Sequence, residues 1–248
     1  MAIIQQRSSN PAFSDKIYQN LDFSSSGSLM TVQGTVNKSI MMILLLIGSA
    51  AYAWSNNYDG ANIMVFMAIG GIGGFVLALI TMFKLKWSPI TAPLYAVFEG
   101  LFLGGLSAEM DNMYPGIVIQ AVALTFGTLF GMLFLYRAGI IKVTEKFRAG
   151  LMAATAGIFF VYLLSWILGF FGIAMPMIHQ GGLIGIGFSL VVVVIAALNL
   201  VLDFDFIHKS SGMGAPKYME WYGAFGLMVT LVWLYIEFLR LLSKLNRE

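Results

Sequence analysis

Seven stretches of nearly uninterrupted apolar sequence dominate this chain, at residues 39–54, 61–83, 89–108, 115–136, 149–173, 181–202 and 222–242. Most approach the roughly 20 residues that an α-helix needs to cross about 30 Å of hydrocarbon. Inside lipid every backbone N–H and C=O must be bonded within the protein, so spans of this length are helices. The strict alternation of an outer-membrane barrel is missing. Of the 248 residues, 59% are hydrophobic and only 10% charged, where a soluble domain carries about 25% charge. A disordered chain is excluded by the same balance. The expectation is an all-α, multi-pass membrane protein: a polar N-terminal tail, residues 1–35, then a seven-transmembrane helix bundle, residues 36–248.

Much chemistry is excluded at once. The chain has no cysteine, so disulfides and thiolate sites are impossible. Its two histidines, His179 and His208, are too far apart in sequence to suggest a zinc cluster. The net charge of +2 gives no reason to expect a nucleic-acid partner. Gly187-Phe188-Ser189 resembles part of an intramembrane serine-protease motif, but Leu190 follows and no apolar run contains a histidine base. The seventh run has no lysine before Lys244, at its very end, and no phosphate-binding loop occurs. An enzyme is therefore not expected, nor is any organic cofactor.

The basic residues indicate orientation. The tail has no apolar core of signal-peptide type, so it reads as a soluble, flexible segment ahead of an uncleaved first span. Arg7, Lys16, Lys38, Lys84, Lys86, Arg137, Lys142, Lys146, Arg148, Lys209 and Lys217 all fall in the tail or in the loops after the second, fourth and sixth runs. The loops after the first, third and fifth runs hold no lysine or arginine, and carry Asp59, Glu109 and Asp111. This distribution places the N-terminus in the cytoplasm. Seven crossings put the C-terminus outside, against the preference of Arg240, Lys244 and Arg247. Either the last run crosses incompletely or these charges are tolerated at the outer headgroups.

Few charges remain inside the runs. Glu99 and Glu237 lie within apolar sequence, while Asp203 and Asp205 sit at the end of the sixth run. A carboxylate in a membrane is normally paired, protonated or facing water. Glu99 reads equally as a neutral acid that packs helices or as a pore group, and Asp205 more readily as an interfacial charge. Two carboxylates brought together would share a proton and offer oxygens to a hard cation such as calcium. Glycines four apart, at 70 and 74, 100 and 104, 127 and 131, and 181 and 185, favour close helix packing.

The stretch Leu200-Val201-Leu202-Asp203-Phe204-Asp205-Phe206-Ile207 resembles the end of the sixth helix in the Bax inhibitor-1 family of membrane proteins. Leu234-Tyr235-Ile236-Glu237-Phe238-Leu239 resembles that family's seventh-helix motif, where aspartate usually stands at the Glu237 position. Arg7-Ser8-Ser9-Asn10-Pro11-Ala12-Phe13 and Met30-Thr31-Val32 are similar to a bacterial branch of the family. The resemblance implies a fold with the seventh helix central, and a pH-sensitive calcium or cation leak across the bacterial plasma membrane. It implies a gate of two carboxylates, Asp203 and Glu237. Sharing a proton they hold the pore shut, without it they repel, and calcium competes for the same oxygens. Lys84 and Lys86 are the nearest match to a basic partner from the second helix, though they read more simply as positive-inside anchors. The alternative function is a non-transporting regulator that binds a membrane protease.

Asp203 and Glu237 are 34 residues apart. A straight helix starting near Lys217 puts Glu237 about 30 Å along its axis, while Asp203 is expected close to the end of its own helix. The two then meet only if residues 217–222 lie outside the core, or if the seventh helix starts late or breaks. Tyr218-Met219-Glu220-Trp221-Tyr222 suits an interfacial position.

Overall fold

A computed structural model describes residues 28–56, 63–172 and 182–246. Among these residues there are seven long helices: α1 (Val32–Ser55), α2 (Ile63–Phe83), α3 (Ser88–Met113), α4 (Ile117–Arg137), α5 (Glu145–Phe170), α6 (Leu183–Gly212) and α7 (Met219–Leu245). All seven are long and apolar enough to cross a membrane. A single 3₁₀ turn, Leu85–Trp87, precedes α3. No strand forms among the described residues, and one isolated antiparallel bridge pairs Leu29 with Pro216. The fold class is that of a seven-helix membrane bundle. The Arg7-to-Phe13 motif, Asp59, His179, Gly181 and Arg247 lie outside the described residues, as does most of the 1–35 tail.

Local chemistry explains where the helices start. Thr31 caps α1, its hydroxyl accepting from the Gly34 N–H at 2.9 Å. Thr144 does the same for α5 through Phe147 N–H at 3.2 Å, with Glu145 in the positive first turn. Pro89 occupies the first turn of α3, where no N–H is required. Gly116 enters α4 in the left-handed region at φ +84, which a side chain would resist.

Several helices run past the apolar stretches that announce them. Helix α1 begins at Val32 rather than near residue 39, inside the stretch expected to be tail. Helix α3 continues to Met113, so Glu109 and Asp111 are helical rather than in a loop. The largest excess is in α6, which extends to Gly212 and is about 45 Å long. Asp205 and Lys209, paired at 2.8 Å one turn apart, support that extension, and Lys209 in the last turn complements the helix dipole. Asp203 and Asp205 are consequently well inside α6.

Helix α7 is the most buried, with 67% of its most apolar stretch enclosed, against 50% for α3 and α6. It runs without interruption from Met219. Met219, Glu220 and Tyr222 are fully buried within the protein, while Tyr218 and Trp221 between and beside them are half-buried.

The chain divides into two compact units. One contains Gly116–Phe204 and Thr230–Glu248, the other Lys16–Pro115 and Asp205–Val229. In the second unit α3 packs on α1 and α2 through glycine. A Cβ at Gly70 would come within 2.5 Å of the Phe102 backbone nitrogen, and one at Gly104 within 2.8 Å of the Ala50 Cα. The Gly127 and Gly131 pair faces open space, so it mediates no such contact.

Candidate functional site

In the first unit α7 carries a polar row, Glu237, Arg240 and Lys244, with the spacing of one helix face. Glu237 is 1% exposed. The Tyr162 hydroxyl of α5 lies 3.0 Å from both of its carboxylate oxygens. Arg240, one turn on, donates to Oε1 at 2.8 Å. The Arg240 guanidinium lies over the Tyr162 ring, 4.7 Å from its centroid. Each member of this clasp restrains the other two. A charge-assisted pair of this kind satisfies a carboxylate that lipid would otherwise strongly disfavour.

Asp203 is in the same unit, on α6, and is 0% exposed. It stands nine residues before Gly212, about 14 Å from the helix end. The break or late start expected of the seventh helix does not occur. The extension of α6 leaves Asp203 at that depth, whereas Glu237 stands eighteen residues, about 27 Å, into α7, and the hydrogen bonds of Glu237 go to Tyr162 and Arg240. One turn before Asp203, Asn199 donates to Thr155 of α5 at 2.9 Å.

Lys244 is the clearest feature that sequence reasoning missed. It is 2% exposed, and its ammonium donates to Gly185 O at 2.9 Å and Ser189 Oγ at 2.8 Å. These bonds tie the last turns of α7 to the first turns of α6. Ser189 is itself 0% exposed, so the Lys244–Ser189 bond is an enclosed contact between the two helices. Arg240 and Lys244, two of the three basic residues near the C-terminus, are thus both engaged in contacts within the protein.

The second unit holds the remaining candidates. Asp205 is buried and paired with Lys209, so it is not an exposed interfacial charge. Lys84, just before the 3₁₀ turn, and Lys86, within it, are exposed. Glu99 is half-buried near the middle of α3. A further carboxylate, Glu220, is fully buried on the first turn of α7. It accepts from the Thr31 N–H and hydroxyl, each at 2.9 Å. It also pairs with Lys217 at 2.8 Å and with Lys38. Met30 N donates to Ala215 O at 2.8 Å beside it, completing a staple between the entry to α1 and the α6–α7 turn. Thr31 and Glu220 are 189 residues apart, which is why no local pattern discloses the contact.

Among the described residues no group of three or more His, Asp or Glu could hold a metal ion. Calcium takes six to eight oxygens. Asp203 and Glu237 supply four at most, one of them bonded to Arg240. The two carboxylates alone therefore supply fewer oxygens than a calcium ion takes.

A family model described as Bax inhibitor 1 like matches residues 10–247. No curated protein and no solved structure matches the chain.

Proposed function

The chain belongs to the Bax inhibitor-1 family of membrane proteins, and on that premise we propose that it is a pH-sensitive passive cation leak, with calcium the favoured ion. The observation that supports this reading is the clasp on Glu237: a carboxylate buried within the last helix, held by α5 and by its own helix through bonds that depend on its charge. Asp203 and Glu237 act together as the gate. In a closed state that brings the two carboxylates together they share a proton, and this holds α7 in place. Loss of that proton adds negative charge which Arg240 alone does not neutralise, and α7 loosens. The role is transport rather than catalysis, in a bacterial plasma membrane with the N-terminus in the cytoplasm.

Purified protein in liposomes loaded with a calcium indicator tests this directly. Calcium entry that rises with protein content and varies with pH is the expected result. No entry at any pH would overturn the leak. If the protein then co-purified from native membranes with a stoichiometric membrane protease, the regulator reading would replace it.

A further inference from the structure

The carboxylates of the membrane helices differ in what neutralises them. Glu237 has Arg240 at 2.8 Å, Asp205 has Lys209 at 2.8 Å, and Glu220 has Lys217 and Lys38. Among the described residues Glu99 has no paired cation. Among the described residues no hydrogen bond or ion pair reaches its carboxylate.

Its surroundings account for this. Glu99 points at the glycine face of α2, where a Cβ at Gly74 would lie 2.8 Å from Oε2. Helix α2 contains no charged or titratable residue along its whole length. Helix α1 approaches α3 beside it, through Leu46 and Ser49 at Gly100 and Ala50 at Gly104. The titratable groups of α1 are engaged elsewhere, Lys38 by Glu220 and Tyr52 by the edge of Phe66. Helix α7 reaches this side of α3 through Phe225, which meets the Tyr95 ring at 5.0 Å. Tyr95, buried one turn before Glu99 on α3, is the titratable group electrostatically coupled to it.

A lone ionised carboxylate at mid-span, with no counter-charge, is the arrangement membranes tolerate least. The same group as a carboxylic acid is uncharged and fits a close helix contact. We propose that Glu99 is a proton-binding site, a carboxylic acid that takes up and releases one proton within the α2–α3 contact. Its ligand is the proton itself. When the proton leaves, the carboxylate faces Gly74 without a partner, and water or a cation must enter between the two helices.

This inference concerns a different unit from the Asp203–Glu237 gate and does not depend on whether the protein carries ions. A hydrophobic carbodiimide tests it, because such reagents add to the protonated acid and leave a stable acylurea on the side chain. The full-length protein in native membranes is treated with dicyclohexylcarbodiimide over a pH series, and the adduct is located by peptide mass spectrometry. The expected result is an adduct on Glu99 whose rate of formation falls about tenfold per pH unit once the acid is mostly ionised. Gly74→Ala, which places a methyl group against the carboxylate, is expected to slow labelling, while Gly127→Ala leaves it unchanged. Absence of a Glu99 adduct at every pH would overturn the proposal. So would a labelling rate that does not vary with pH, which describes a permanently neutral packing group.

Discussion

The Tyr162 hydroxyl is 3.0 Å from each carboxylate oxygen of Glu237, so one phenol proton bridges the whole carboxylate. Arg240 completes the arrangement by bonding the carboxylate and covering the tyrosine ring. Glu237 is thus held by three contacts that reinforce one another, across two helices.

The clasp predicts unequal costs for its members. Tyr162→Phe removes a hydrogen bond to a charged group and is expected to destabilise the protein by about 1.5–3 kcal/mol. Arg240→Gln leaves a buried carboxylate without its cation. It is expected to cost about 3 kcal/mol, the lower end for broken buried pairs, because Arg240 is 34% exposed. Adding Glu237→Gln to Arg240→Gln is expected to recover much of that loss. Unfolding in mixed micelles measures all three, and strictly additive losses would show that the residues do not interact.

The Glu220 staple is expected to be important for stability. Glu220→Ala strands Lys38 beside Trp221 and removes the acceptor of both Thr31 donors. The expected loss is about 3–5 kcal/mol. Thr31→Ala, which keeps the backbone bond and removes the cap and hydroxyl, is expected to cost about 1–2 kcal/mol. Because the chain has no cysteine, a Leu29→Cys, Pro216→Cys pair is a clean reporter. Its cross-linking should be fast in the parent and slow in the Glu220→Ala background.

Two glycines in similar sequence contexts are expected to behave oppositely. Gly70→Ala forces a methyl group against the backbone of Phe98 and Phe102 and is expected to cost about 1–3 kcal/mol. Gly127→Ala enters open space. It is expected to be neutral or to stabilise α4 by up to about 1 kcal/mol through helix propensity. Thermal unfolding of the two variants side by side gives the comparison.

The seven helices were legible in the sequence because lipid imposes length and apolarity on each span independently. Their ends were less so. Helix α6 continues for ten residues past the apolar run that ends at Leu202, sustained by Asp205–Lys209 pairing and burial of Phe204, Phe206 and Ile207. Hydropathy registers the charges there and not their pairing. Asp203, Glu237 and Glu99 were recognisable as charges out of place. Tyr162, Arg240 and Lys244 were not, since a tyrosine in a span and basic residues near a chain end suit ordinary interfacial roles equally well. Glu220 was read as part of an amphipathic border because its partners, Thr31 and Lys38, are brought to it by tertiary folding alone. The short i, i+3 spacing of Glu237 and Arg240 was the one local signal for the clasp.

The most direct measurement is the pH profile of calcium flux in liposomes for the parent and for Asp203→Asn, Glu237→Gln. The parent is expected to leak faster as pH rises and the shared proton is lost. The double variant, which cannot ionise at either position, is expected to show one flux at every pH. A double variant that keeps the parent's pH profile would contradict the gate.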